Sequence, residues 1–179
     1  MSQWKDVLEF WNEAGPEKWF TKDDAFDREL ERRFLPLNEA AARGEHDDWA
    51  KDAQSCLALI LVLDQFSRNL FRGSGKAFSR DARALEIARL ALQKDYPAEV
   101  AGNVRFFLYM PFMHSESIAD QMTSLRLQHS VSGSGGMKYA REHYDIIARF
   151  GRFPHRNPVL GRHTTPAEQA FLDAGGFKG

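Results

Sequence analysis

One cysteine, Cys56, stands in a chain of 179 residues, so no internal disulfide is available. A lone thiol beside the apolar run LALILVL reads as a buried, inert group rather than a nucleophile, and it suits a reducing cytoplasm. A charge excess is also missing. The 24 Lys and Arg nearly balance 25 Asp and Glu, and a net charge of −1 argues against nucleic-acid binding driven by bulk electrostatics. The longest apolar run, Leu57 to Leu63, is seven residues, whereas a membrane-spanning helix needs about 20. The opening MSQWKDVLEF lacks the apolar stretch of a signal peptide, so a cytoplasmic location away from membranes is expected. Strand signals are absent: there is no sustained alternation and no Asn-Gly or Asp-Gly hairpin. The segment RGSGK, Arg72 to Lys76, lacks the upstream glycine of a phosphate-binding loop, and HExxH, CxxC, GxSxG and an EF-hand loop do not occur. No motif implies a cofactor.

What is present is helix. Ser2 can cap a first helix with Trp4, Val7, Leu8 and Trp11 on one face, ended by Gly15-Pro16. Thr21 with Asp24 forms a capping-box variant for a second helix with a stripe of Phe26, Leu30, Phe34 and Leu37. Pro36 is expected to kink or break that helix near residue 35, and Gly44 closes it. A third runs from about Asp48 to Phe71, apolar on all faces in its middle, and so belongs at the centre of the fold. Ser79 caps a helix to about Gln93. Others are expected over about Glu99 to Met110, from a Ser115 cap to about His129, and over Lys138 to Phe150. The run SGSGG, residues 132–136, reads as a flexible linker. Thr165-Pro166-Ala167-Glu168 is a full capping box for a last helix. The expectation is a single all-α domain over residues 1–179: seven or eight helices in antiparallel hairpins, stacked in a right-handed array.

Three constellations carry chemistry. In LDQFSRNLFRG, Asp64 and Arg68 stand four apart and can pair, while Gln65, Asn69 and Arg72 share a neighbouring face. In PFMHSESIADQ, Glu116 and Asp120 repel unless a cation lies opposite, and the arginines of the other two blocks are available partners. His114 with Glu116 supplies only two potential metal ligands, too few for a site, so no metal is expected. In HYDIIARFGRFPHRNPVLGR, the cations Arg149, Arg152, His155, Arg156 and Arg162 alternate with Phe150, Phe153, Pro154, Pro158 and Leu160. Prolines fix φ and aromatics bury, so the cationic heads, with Asn157, form a preorganised set of donors for a carboxylate or phosphate, either internal or a ligand. His143 shares a face with Ile146, Ile147 and Phe150 and reads as a hydrogen-bonded core residue. Phe153 and Leu160 are expected to anchor the loop's ends.

These blocks resemble the DUF924 family of uncharacterised, mostly bacterial proteins. The matching segments are VLEFW (7–11), KWFTKDDAFD (18–27), LALILVLDQFSRNLFRG (57–73), AFSRDARALEIA (77–88), RFFLYMPFMHSES (105–117) and HYDIIARFGRFPHRNPVLGR-HTTPAEQAFL (143–172). The resemblance implies an all-α fold similar to tetratricopeptide-repeat superhelices, without the repeat consensus, and it carries no established reaction. Positions matching the family's motifs are Asp64, Gln65, Arg68, Asn69, His114, Glu116, Arg149, Arg152, His155, Arg156, Asn157 and Arg162. The leading functional expectation is a groove lined by Arg and His, holding an anionic peptide or a small anion. The alternatives are an enzyme using His114, Glu116 and His155 as acid–base groups, or an architectural polar network with the function on another surface.

Overall fold

A computed structural model describes residues 3–131 and 134–177. The described residues form ten α-helices, with short 3₁₀ turns and one π-helical segment, and no strand. The expected count was seven or eight. The difference lies in short helices at Ser67–Leu70, Tyr96–Glu99 and Met110–His114, which the apolar periodicity merges into neighbours or loops. The chain divides into two compact units: residues 1–72 with 76–111, and residues 73–75 with 112–179.

The first unit is built on aromatic packing. In α1 (Gln3–Trp19), Val7, Phe10 and Trp11 are buried, and Gly15 breaks the helical path with φ 70° just before Pro16. Trp19 is then turned back, and its indole N–H donates to Trp11 O at 2.7 Å. Helix α2 (Asp24–Ala42) starts at Asp23, whose carboxylate accepts from the N–H groups of Ala25 and Phe26. Thr21, the expected cap, instead donates its hydroxyl to Glu17 O. Helix α2 runs through Pro36 unbroken. Proline removes one backbone hydrogen bond, but Phe34, Leu37, Asn38 and Ala41 are buried on either side of it, and that packing holds the helix together. Phe10 stacks on Phe26 and contacts Phe34, while Trp11 meets Phe66 and Phe107.

The expected long central helix exists in pieces. Residues 47–51 are a 3₁₀ turn, Asp52 caps α3 (Ala53–Ile60), a π-helical stretch covers Leu61–Phe66, and α4 is Ser67–Leu70. Residues 55–67 are buried without exception, so the segment is the centre of its unit, packed against α1, α2 and α5 (Asp81–Gln93). The π segment frees carbonyls that α-helix would occupy, and side chains take them. Asn38 donates to Val62 O at 2.7 Å, and the Ser67 hydroxyl donates to Leu63 O at 2.7 Å. Helix α6 (Tyr96–Glu99) and a 3₁₀ turn over Asn103–Leu108 complete the unit. Ser79 does not cap α5; its hydroxyl donates to Lys76 O.

Helix α7 (Met110–His114) leads into the second unit, where α8 (Ile118–Val131) packs along α9 (Ser134–Phe150), and α10 (Pro166–Asp173) follows a loop containing a 3₁₀ turn at Pro154–Arg156. Ser134, Gly135 and Gly136 of the expected linker belong to α9; residues 132 and 133 lie outside the described residues. The second unit's apolar core is Ile146, Ile147 and Phe153, with Phe150, Phe171 and Phe177 against it. Phe153 anchors the start of the 151–162 loop, but Leu160 is 41% exposed. The other end is held by backbone bonds, Leu160 N–H to Arg156 O and Arg162 N–H to Asn157 O, and by close packing on Gly75. A Cβ at Gly75 would fall 2.6 Å from Val159 O, so only glycine fits. Among the described residues, no helix is long and apolar enough to cross a membrane.

Candidate functional site

In the first unit, the polar end of the central segment is a closed acid–base lattice. Arg68 reaches Asp64 Oδ1 at 3.1 Å and forks onto Asp81 with two 3.0 Å bonds. The Arg68 guanidinium also donates to Asp64 O at 2.8 Å, and the Asp64 carboxylate accepts from Gln65 Nε2 at 2.6 Å. Asn69 and Arg72 converge on Asp27, at 2.7 and 2.9 Å. Burial would push the Arg68 pKa down, but Asp64 and Asp81 outweigh it and hold the pKa above its ordinary value. The pairing of Asp64 with Arg68 is thus as its spacing predicts. Asp27 and Asp81 were not foreseen; each sits in the first turn of a helix, a position that ordinary capping preference already explains.

In the second unit, two bidentate clamps fix the basic loop. Arg162 forks onto Glu116 at 2.7 and 3.0 Å, and Glu116 also accepts from the Phe153 N–H at 2.8 Å. Burial alone would raise the Glu116 pKa; Arg162 and that N–H lower it, and the net position is below the usual carboxylate range. Arg152 forks onto buried Glu168 at 2.6 and 2.8 Å and donates to His163 O. Glu168 also receives the Thr165 N–H at 2.7 Å, in the reciprocal capping box read from the sequence, and Asn157 Nδ2 at 3.3 Å. With Arg152 as the main cause, the Glu168 carboxyl is held down at about 2.

Between the clamps lies a second kind of cluster, centred on the fully buried Phe153 ring. The Arg156 guanidinium lies 4.4 Å from its centroid; His143 lies edge-on at 5.5 Å and His155 is tilted at 5.7 Å. His114 is 6.3 Å from His143, and Phe177 packs against both His143 and His155. His114, His143 and Arg156 are buried; His155 is partly exposed. His143 Nδ1 meets Tyr139 O at 2.8 Å, the hydrogen-bonded core role expected of it. Its neighbourhood with His114 and His155 was not legible, because the three lie on separate segments. Arg149 stands apart on the surface, over Phe150 at 4.7 Å and near Phe171. Asp120 accepts from the Ser115 hydroxyl at 2.8 Å.

No described group of three or more His, Cys, Asp or Glu side chains is placed to hold a metal ion. Two surface clefts of the first unit, of about 470 and 450 Å³, are lined by none of the thirteen candidate site residues.

The family model described as "Bacterial protein of unknown function (DUF924)" matches residues 7–176. A solved structure, "Structure of Protein of Unknown Function ATU0120 from Agrobacterium tumefaciens", is 44% identical, covers 97% of this chain and 98% of its own, and superposes with a TM-score of 0.94. No curated protein matches the chain. The match spans all three constellations and nearly the whole sequence, and the chain belongs to the DUF924 family.

Proposed function

We propose that the second unit binds a small anion, a phosphate or carboxylate, at the group formed by His114, His143, His155 and Arg156 around Phe153. The observation that carries this reading is the convergence of two histidines and a buried arginine on one phenyl ring, with a third histidine, His114, against His143. Burying so many ionisable groups together is costly unless the arrangement is used, and such clusters concentrate at functional sites. Arg152 and Arg162, foreseen as ligands, serve this site as its frame, since Glu168 and Glu116 already occupy their forks. A compact cluster suits a small anion better than the extended acidic peptide that a tetratricopeptide-like groove would take.

One observation favours the alternative of an enzyme. A carbonyl only accepts, so the contact to Tyr139 O puts a proton on His143 Nδ1 and fixes the ring's tautomer and orientation, which suits acid–base work.

Inorganic phosphate should raise the melting temperature along a saturating curve, because a ligand of the folded state alone stabilises it by mass action. Sodium chloride at equal ionic strength should not reproduce the effect. In the folded double variant His155→Gln/Arg156→Met the phosphate curve should flatten by at least half. An unchanged response in that variant contradicts the site.

A further inference from the structure

Helix α8 turns polar residues inward. Its buried positions are Asp120, Gln121, Ser124 and Gln128, spaced along one face, while Ile118 and Met122 stand 43% and 44% exposed. A helix that merely packed on α9 would bury apolar residues here, since polar groups inside a protein are costly unless each is bonded. Two of them are not fully bonded. Gln121 is entirely buried, and its Nε2 donates to Met113 O and Ser115 O, both at 2.7 Å. Those two carbonyls fix which end of the amide is nitrogen, so its Oε1 is an acceptor of certain identity, and it has no hydrogen-bond partner. The fully buried Ser124 hydroxyl, one turn along, has none either. On the loop, Asn157 is fixed in the same way. Its Nδ2 faces the Glu168 carboxylate, leaving a buried Oδ1 without a donor.

Through the chain and the Gln121 bonds, these atoms are tied to the segments that carry the cluster around Phe153. Met113 and Ser115 bracket His114, and Asn157 follows Arg156. The cluster offers cationic donors, while the orphaned amide oxygens ask for donors from whatever binds. Resting on the anion reading above, we infer that the bound molecule is a polyol anion, a phosphate or carboxylate carrying hydroxyl groups. Its charge is held at His155 and Arg156, and its hydroxyls are read by Gln121 Oε1, the Ser124 hydroxyl and Asn157 Oδ1. A bare anion leaves the amide oxygens unmet.

Three probes separate the parts of this inference: inorganic phosphate, propyl phosphate, and glycerol 3-phosphate, which adds two hydroxyls to the propyl skeleton. Dissociation constants by calorimetry should place glycerol 3-phosphate about tenfold tighter than propyl phosphate, the worth of one or two buried hydrogen bonds. In Ser124→Ala that ratio should fall toward one. The change removes a hydroxyl with no partner, so the fold is expected to persist, and Ser124→Cys gives the same comparison with the volume kept. Equal affinity for the two esters in the wild type, as a buried water at these atoms would give, overturns the inference and leaves the anion site standing. A preference that survives both Ser124 variants overturns it too. Failure of all three phosphates to bind saturably sinks the anion site itself.

Discussion

At the scale of single residues, the second unit depends on two glutamates placed where carboxylates must stay charged. Glu168 is 2% exposed, and its charge is secured by Arg152 and the Thr165 N–H. Its pKa sits at about 2 in the fold, against an ordinary 4.5. A depressed carboxylate contributes stability that is complete above the unfolded pKa and is lost as the pH falls through the folded one. We therefore expect the wild type to melt above Glu168→Gln by roughly 5 °C or more at neutral pH. The gap should close as the pH drops from about 4.5 toward 2, followed by calorimetry at a series of pH values. A gap that stays constant across that window contradicts the assignment. Glu116 works in the same direction through Arg162, again losing its contribution on the acid side. Cys56 is the opposite case: burial lifts its thiol to about 12, matching the inert role read from its apolar setting.

At the scale of elements, the central segment shows what apolar periodicity reveals and what it hides. An all-apolar run of this length belongs inside, and residues 55–67 are all buried. The π-helical turn at Leu61–Phe66 carries no composition signal, because it is paid for by side chains elsewhere: Asn38 on Val62 O, and Arg68 on Asp64 O. Asp64 sits in that turn, fully buried, with Arg68 and Gln65 on its carboxylate. Asp64→Ala should cost about 3 kcal/mol, the lower end for breaking a buried pair, since Asp81 still shares Arg68. Chemical denaturation measures this, and a loss below about 1 kcal/mol would place Asp64 with exposed pairs instead. Caps were legible where the side chain had one option, as at Thr165. They were misread where two candidates stood in sequence, as with Thr21 and Asp23. Pro36 misled because burial on both sides outweighs one missing hydrogen bond. The polar face of α8, with Gln121, Ser124 and Gln128 apart from Ile118 and Met122, is legible as a pattern, but only burial says that it lies inside.

At the scale of the whole molecule, two compact units hold their arginines differently. In the first, Arg68 and Arg72 meet Asp64, Asp81 and Asp27; in the second, Arg152 and Arg162 meet Glu168 and Glu116. As polar candidates, thirteen positions were legible from charge and aromatic interleaving. Which of their arginines are clamped by carboxylates was not, because a sequence does not show which carboxylate an arginine reaches. The six histidines give the direct test. Three, His114, His143 and His155, belong to the cluster; His46, His129 and His163 do not. Imidazole ¹⁵N resonances followed during a phosphate titration, against chloride at matched ionic strength, report each ring separately. The account predicts saturable shifts of His114, His143 and His155 with one common dissociation constant, and still signals for the other three. Shifts shared by all six rings, or none beyond the chloride control, would contradict an anion site around Phe153.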